Sequence, residues 1–169
     1  MSTTTTSPLL TAIVQGWQEY QQQLVVIVQS LTPEQLTIRV APDLRSVGEI
    51  VAHIIGGRAS WFCEILKEGD AEVAAMGEWD TPHAPARTIA ECVHGLEATW
   101  TLMQDALARW TEEQLTEQIV LPWLPAHPIT RSFVVWHLIE HDLHHGGEIS
   151  HSLGTLGLEI ELPPPPPRD

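Results

Sequence analysis

Basic residues are scarce in this chain. Eight Lys and Arg stand against 22 Asp and Glu, a formal net charge of -14. Binding to nucleic acid runs largely on Lys and Arg neutralising phosphates, and so acidic a chain is not expected to take nucleic acid as a partner. Cysteine is scarce as well. Cys63 and Cys92 are too few for a disulfide framework and too far apart for a Cys-type zinc site. Both fall inside predicted helices, where a free Cys acts as a small hydrophobe. No apolar run approaches the ~20 residues of a membrane span, so no membrane partner is expected. Met1 to Ser7 are mostly Ser and Thr and lack the basic start and apolar stretch of a secretory signal, which makes the cytoplasm the expected location. No alternating strand pattern and no fixed-period repeat is present.

What remains is one domain's worth of helix-forming sequence. The 169 residues, 43 % hydrophobic, suffice to bury roughly 70 % of the unfolded-chain surface without staples. Four long helical patterns stand out. Leu9, Ile13, Trp17, Tyr20, Leu24, Ile27 and Val28 recur at three- and four-residue steps, predicting a helix over 8–30. Thr32-Pro33-Glu34 reads as a cap and first-turn proline of a short helix. Ser46 and Glu49 form a capping box that opens the second long helix, with an apolar stripe from Val47 to Ile65 and an end near Gly69. Residues 70–87, with Gly77, Pro82 and Pro85, read as a long loop. Thr88 and Glu91 cap a third helix to about Trp110, and 111–117 predict another short one. Thr130 caps the fourth, running to about Leu153. The expectation is a single all-α four-helix bundle over 1–169, with a disordered start at 1–7. Pro163 to Pro167 form a polyproline tail over 163–169 that cannot join a packed helix.

Histidine and tryptophan are abundant, at nine and seven. Trp17, Trp61, Trp100 and Trp136 sit in helical periodicity and are expected in the core; Trp79 and Trp123 lie in loops. Five histidines fall between His137 and His151. His141 and His145 are four apart, one turn apart on one face, within the stripe of Val134, Leu138, Ile149 and Leu156. Two imidazoles buried side by side need partners or a metal. Periodicity does not choose between the pairs His137/His141 and His141/His145. A third ligand is needed, and His53 fits, on a flank of the second long helix beside the small residues Gly56, Gly57 and Ser60. Glu148, three residues after His145, suits a fourth ligand, an acceptor for an imidazole N–H or a general base. Asp142 is expected at the surface. Arg58 reads either as a contact for an anionic substrate group or as a snorkelling side chain.

The segments SVGEIVAHIIGGRASWF (46–62) and FVVWHLIEHDLHHGGEI (133–149) resemble the DinB/YfiT-like superfamily of metal-binding four-helix bundles. There a His in the second helix joins a late H-x-x-x-H pair, commonly followed by Arg-Gly-Gln. The matching residues are His53, His141 and His145, followed by Gly146, Gly147 and Glu148; Gly146 replaces the usual Arg and Glu148 the usual Gln. The resemblance spans Leu9 to Leu156 and implies one divalent transition metal ion, zinc or nickel, on those three histidines. Imidazole by itself also suits copper and iron. An open coordination position would serve catalysis. The resemblance further implies a metal-dependent, thiol-dependent transferase or isomerase, or a hydrolase, acting on a small molecule with a low-molecular-weight thiol, and a homodimer. A non-catalytic metal-binding or stress-response bundle is the alternative.

Overall fold

The structure is a computed structural model and describes residues 8–158. The expected disordered start and the polyproline tail lie outside the described residues. The elements follow in chain order as α1 (Pro8–Ser30), α2 (Pro33–Leu36), α3 (Val47–Ala59), a π-helical turn (Ser60–Ile65), α4 (Ala71–Ala75), a 3-10 turn (Met76–Asp80), α5 (Ile89–Arg109), α6 (Glu112–Thr116), β1 (Gln118–Ile119), β2 (Ile129–Thr130) and α7 (Arg131–Gly154). The fold is all-α. Its one sheet among the described residues is the two-residue antiparallel pairing of Gln118 with Thr130 and Ile119 with Ile129, which closes the proline-rich loop before α7.

The helix starts are written locally. Ser46 accepts from the backbone N–H of Glu49 while the Glu49 carboxylate accepts from that of Ser46, and Thr88 and Glu91 do the same for α5. Each box satisfies N–H groups that have no partner inside the helix. Thr130 caps α7 through the N–H of Phe133. The 70–87 segment departs from expectation. Asp70 accepts from the Val73 N–H and starts α4, and the 3-10 turn carries the chain on to Asp80. These pieces are too short for periodicity to reveal; they form because Val73 and Met76 are buried in the core beside α3.

Packing joins α1 to α5, and α3 to both α5 and α7. One core cluster holds Leu24, Val28, Val51, Ile54, Ile55, Leu96 and Ile149; a second holds Trp17, Phe62, Trp100, Met103, Trp110 and Leu138. Trp17 meets Trp100 edge-on with ring centroids 5.2 Å apart, and Phe62 stacks on Trp110 at 5.7 Å. Trp136, expected in the core, is exposed. It faces away from Leu138 on the solvent side of α7, where its apolar ring continues no buried stripe. No described helix is long and apolar enough to cross a membrane.

Asp142 is the larger correction. It is fully buried, not a surface charge. Val134, Leu138, His145 and Ile149 are buried with it, so the seam of α7 is centred one step from where an apolar count places it. A carboxylate counts as polar in such a reading, yet here it is neutralised inside. Arg58 of α3 is also fully buried and clasps it, Nε to Oδ1 at 3.0 Å and Nη2 to Oδ2 at 2.6 Å. Trp17 Nε1 donates to Oδ2 at 2.7 Å. Arg58 Nη1 donates to Gln21 Oε1 at 2.7 Å, and Gln21 Nε2 to the Leu96 carbonyl at 2.9 Å. Arg58 therefore neither snorkels nor meets a substrate. One polar network ties all four long helices at a single level.

Candidate metal centre

That level lies directly beneath three histidines. Arg58 follows Gly57, against which the His141 ring packs, and Asp142 follows His141. A Cβ on Gly57 would sit 3.0 Å from His141 Cε1, so a glycine is what lets α7 bring this ring so close to α3. Gly56, next to it, gives the 3-10 turn the same access: a Cβ there would lie 3.1 Å from Asp80 Cβ. The small residues expected to leave room beside His53 thus admit two specific neighbours.

The structure brings His53, His141 and His145 together, with one nitrogen from each within 4.8 Å of the others. Ring centroids are 4.7 Å apart for His53 and His141, 4.4 Å for His53 and His145, and 4.5 Å for His141 and His145. His137, left open by periodicity, is not in this group. It lies edge-on to Trp61 at 5.0 Å and stacks on Phe133 at 6.1 Å. His144 and His151 are exposed.

The outer nitrogens of two rings are already engaged by carboxylates. His53 Nδ1 lies 2.6 Å from Asp80 Oδ2, and His145 Nδ1 lies 2.7 Å from Glu148 Oε2. An ionised carboxylate only accepts, so each Nδ1 carries the proton and each Nε2 presents a lone pair. His53 Nε2 and His141 Nε2 stand 3.1 Å apart; with the lone pair on His53, His141 Nε2 donates across that gap. The Nδ1 of His141 is buried without a hydrogen-bond partner among the described residues.

The electrostatics favour neutral rings at His141 and His145. Burial pushes His141 down to about 3, helped by the charges of His145, His53, His137 and Arg58. Burial also lowers His145, against the hydrogen bond it donates to Glu148. Burial acts to raise Glu148, but the His145 hydrogen bond and the charges of His145, His144 and Arg45 hold its carboxyl below the usual range.

These donors fit a divalent transition metal. Two ligands at ~2.0–2.1 Å from one ion, subtending 90–110°, stand about 2.8–3.4 Å apart, and the Nε2 pair of His53 and His141 falls in that interval. Neutral imidazoles oriented by carboxylates on their far nitrogens are the usual outer arrangement of metal-binding histidines. Binding at this point would exchange the His141 Nε2 proton to Nδ1.

Asp80 went unnoticed in the sequence. It lies in a segment read as loop, and no spacing relates it to His53, 27 residues earlier. Gly146 has a steric reason. A Cβ there would overlap the Tyr20 hydroxyl of α1, so the Arg usual at this position in the resembled family would require Tyr20 to move. Burial and the Asp142 charge raise the Tyr20 phenol, which therefore stays protonated.

The model of the DinB family matches residues 1–162. Among solved structures, a DinB-like protein from Bacillus cereus superposes with a TM-score of 0.68 at 20 % identity, covering 88 % of this chain and 93 % of that one. A conserved protein from Enterococcus faecalis gives 0.69 at 16 % identity, covering 90 % and 100 %. A DinB-like protein from Bacillus subtilis gives 0.62 at 20 % identity, covering 90 % and 96 %. No curated protein matches. At these identities the structures speak for the fold alone, while the family model spans nearly the whole sequence: the chain belongs to the DinB family.

Proposed function

We propose that His53, His141 and His145 bind one divalent transition metal ion, zinc or nickel, and that the protein is a metal-dependent enzyme joining a low-molecular-weight thiol to a small electrophilic substrate. The observation that carries this reading is the convergence of three imidazoles with two of them braced by carboxylates. Three protein ligands leave a coordination position open, as catalytic rather than structural sites do. The ion, when bound, would supply a Lewis acid that lowers the pKa of a thiol or water near neutral pH. Glu148 is half exposed beside the cluster, is held ionised, and can accept a proton from an incoming thiol. Asp80 accepts from His53 Nδ1 and so holds that ring with Nε2 free for a ligand.

The test is a purified protein reconstituted with zinc or nickel and offered simple thiols with an alkylating or epoxide electrophile. Metal-dependent and thiol-dependent conjugation is the expected result. Tight binding of one ion per chain that raises Tm, with no turnover on any thiol pair, would replace this reading with the non-catalytic one.

We further propose a homodimer. Phe133, Trp136 and Leu143 lie along the outer side of α7 and are all exposed, an apolar stripe that a second copy would cover. Sedimentation equilibrium should give twice the chain mass at micromolar concentration. Monomer mass across that range, or dimer mass unchanged in Trp136→Glu, would count against this face.

A further inference from the structure

A groove of about 1050 Å³ opens between the N-terminal turns of α3 and α5 and the segment following the 3-10 turn. It is lined by Arg39, Arg45 and Arg87, three of the eight basic residues in a chain of net charge -14. Such a concentration runs against the character of the whole surface, which repels anions. The groove also contains carboxylates, so the pairing decides what is available. Glu49 is taken up by Arg39, through Nη2 to Oε1 at 2.7 Å and Nη1 to Oε2 at 2.6 Å. Asp80 is engaged at 2.6 Å by His53. Asp43 is exposed at the lip.

Two guanidinium groups are left with stretched contacts only. Arg45 stands 3.4 Å from Asp80 with its side chain half exposed. Arg87 stands 3.6 Å from Glu91, with its carbon centre 4.4 Å above the Trp79 ring. Its Nε is buried and has no hydrogen-bond partner among the described residues. A buried, charged donor left unpaired is costly, and a flat guanidinium fixed on an indole presents its fork in one direction. Arg45 links this groove to the histidines. It reaches Asp80, which orients His53, and its charge acts on Glu148.

We propose that this groove binds the anionic end of a small molecule carrying carboxylate or phosphate groups, held by Arg45 and Arg87 beside the Asp80 that holds His53. The inference rests on the function proposed above for its placement beside the reacting centre, but not for the binding itself. Guanidinium pairs bind both kinds of oxyanion through the same forked geometry, so the two are separated by experiment.

The test uses the full-length, metal-free protein, so that failure of the metal reading does not touch it. Isotope-labelled protein is titrated by NMR at low ionic strength with inorganic phosphate and, separately, with succinate. Saturable shifts are expected at the Trp79 indole and at the backbone of Arg45 and Arg87. Whichever anion binds more tightly names the class. Arg45→Gln and Arg87→Gln should each weaken binding by about tenfold, while Arg45→Lys, keeping the charge and losing the fork, should fall between. Arg109→Gln, outside the groove, should bind as the unaltered protein does. Circular dichroism confirms that each variant is folded, and Arg45→Gln, on an exposed side chain, is the variant least able to disturb the fold. No saturable shift with either anion, or affinities unchanged in both Gln variants, overturns the proposal; a separate metal titration of the same protein then reads the histidine site by itself.

Discussion

His141→Ala, His53→Ala and His145→Ala should each lower metal affinity by orders of magnitude, read as metal content after dialysis against a weak chelator. Two imidazoles cannot hold what three do, and the remaining pair loses the open, three-ligand geometry. His137→Ala should leave metal content unchanged, because that ring, held by Trp61 and Phe133 and 6.0 Å from the His141 ring, offers no nitrogen to the group of three. The same series also reads the pH dependence. A metal competes with protons for Nε2, and burial already holds His141 at about 3. Protons regain the ring only as pH falls well below the ordinary imidazole range. Metal should therefore not be lost through protonation of His141 until the pH is well below 6.5, read as metal content across an acid titration. In the metal-free protein the sign is the same: an unfolded His141 titrates near 6.5 and a folded one near 3, so stability falls as pH drops through that window. Metal loss in His137→Ala with retention in His145→Ala would transfer the site to the other pair. Retention in all three triad variants would remove it.

The second large effect belongs to the buried pair. Arg58→Met or Asp142→Leu, alone, should destabilise the protein by about 3–5 kcal/mol, because each leaves a fully buried charge without its partner. The double variant, Arg58→Met with Asp142→Leu, should recover most of that loss, since apolar side chains of similar volume avoid the desolvation penalty altogether. Trp17 Nε1 and Gln21 then lose their acceptor and donor, and that is the part not regained. Urea unfolding of the three variants measures this directly. Single variants within 1 kcal/mol of the unaltered protein, or a double variant as unstable as the sum of the singles, would show that the network does not hold these charges as a unit. Because the network lies one residue from both Gly57 and His141, the double variant also reports whether it sets the register of α7 against α3: weaker metal binding at regained stability would say that it does.

Local sequence determined the elements. Ser46 with Glu49 and Thr88 with Glu91 fix helix starts by hydrogen bonds between residues three apart, and the apolar steps of α5 mark its buried face, whereas Leu9 and Ile13 of the α1 stripe and Leu156 after α7 are exposed and Gln21 is buried. The His141/His145 pair was legible for the same reason, since four residues along a helix is a fixed distance. His53 was legible only through its neighbours and the family's order of motifs. Everything that depends on where one helix lies against another was not. Asp142 was misplaced because burial of a carboxylate is decided by an arginine 84 residues away. Asp80 was missed because a short 3-10 turn carries no period and gains its place by packing on α3. The same holds for the exclusion of His137, whose ring is claimed by Trp61 across the seam, and for Gly146, which yields to a tyrosine on α1. Spacing along the chain sets which side chains share a face; only the packing of α3, α7 and the 3-10 turn decides which faces meet, and with them which donors converge on one point.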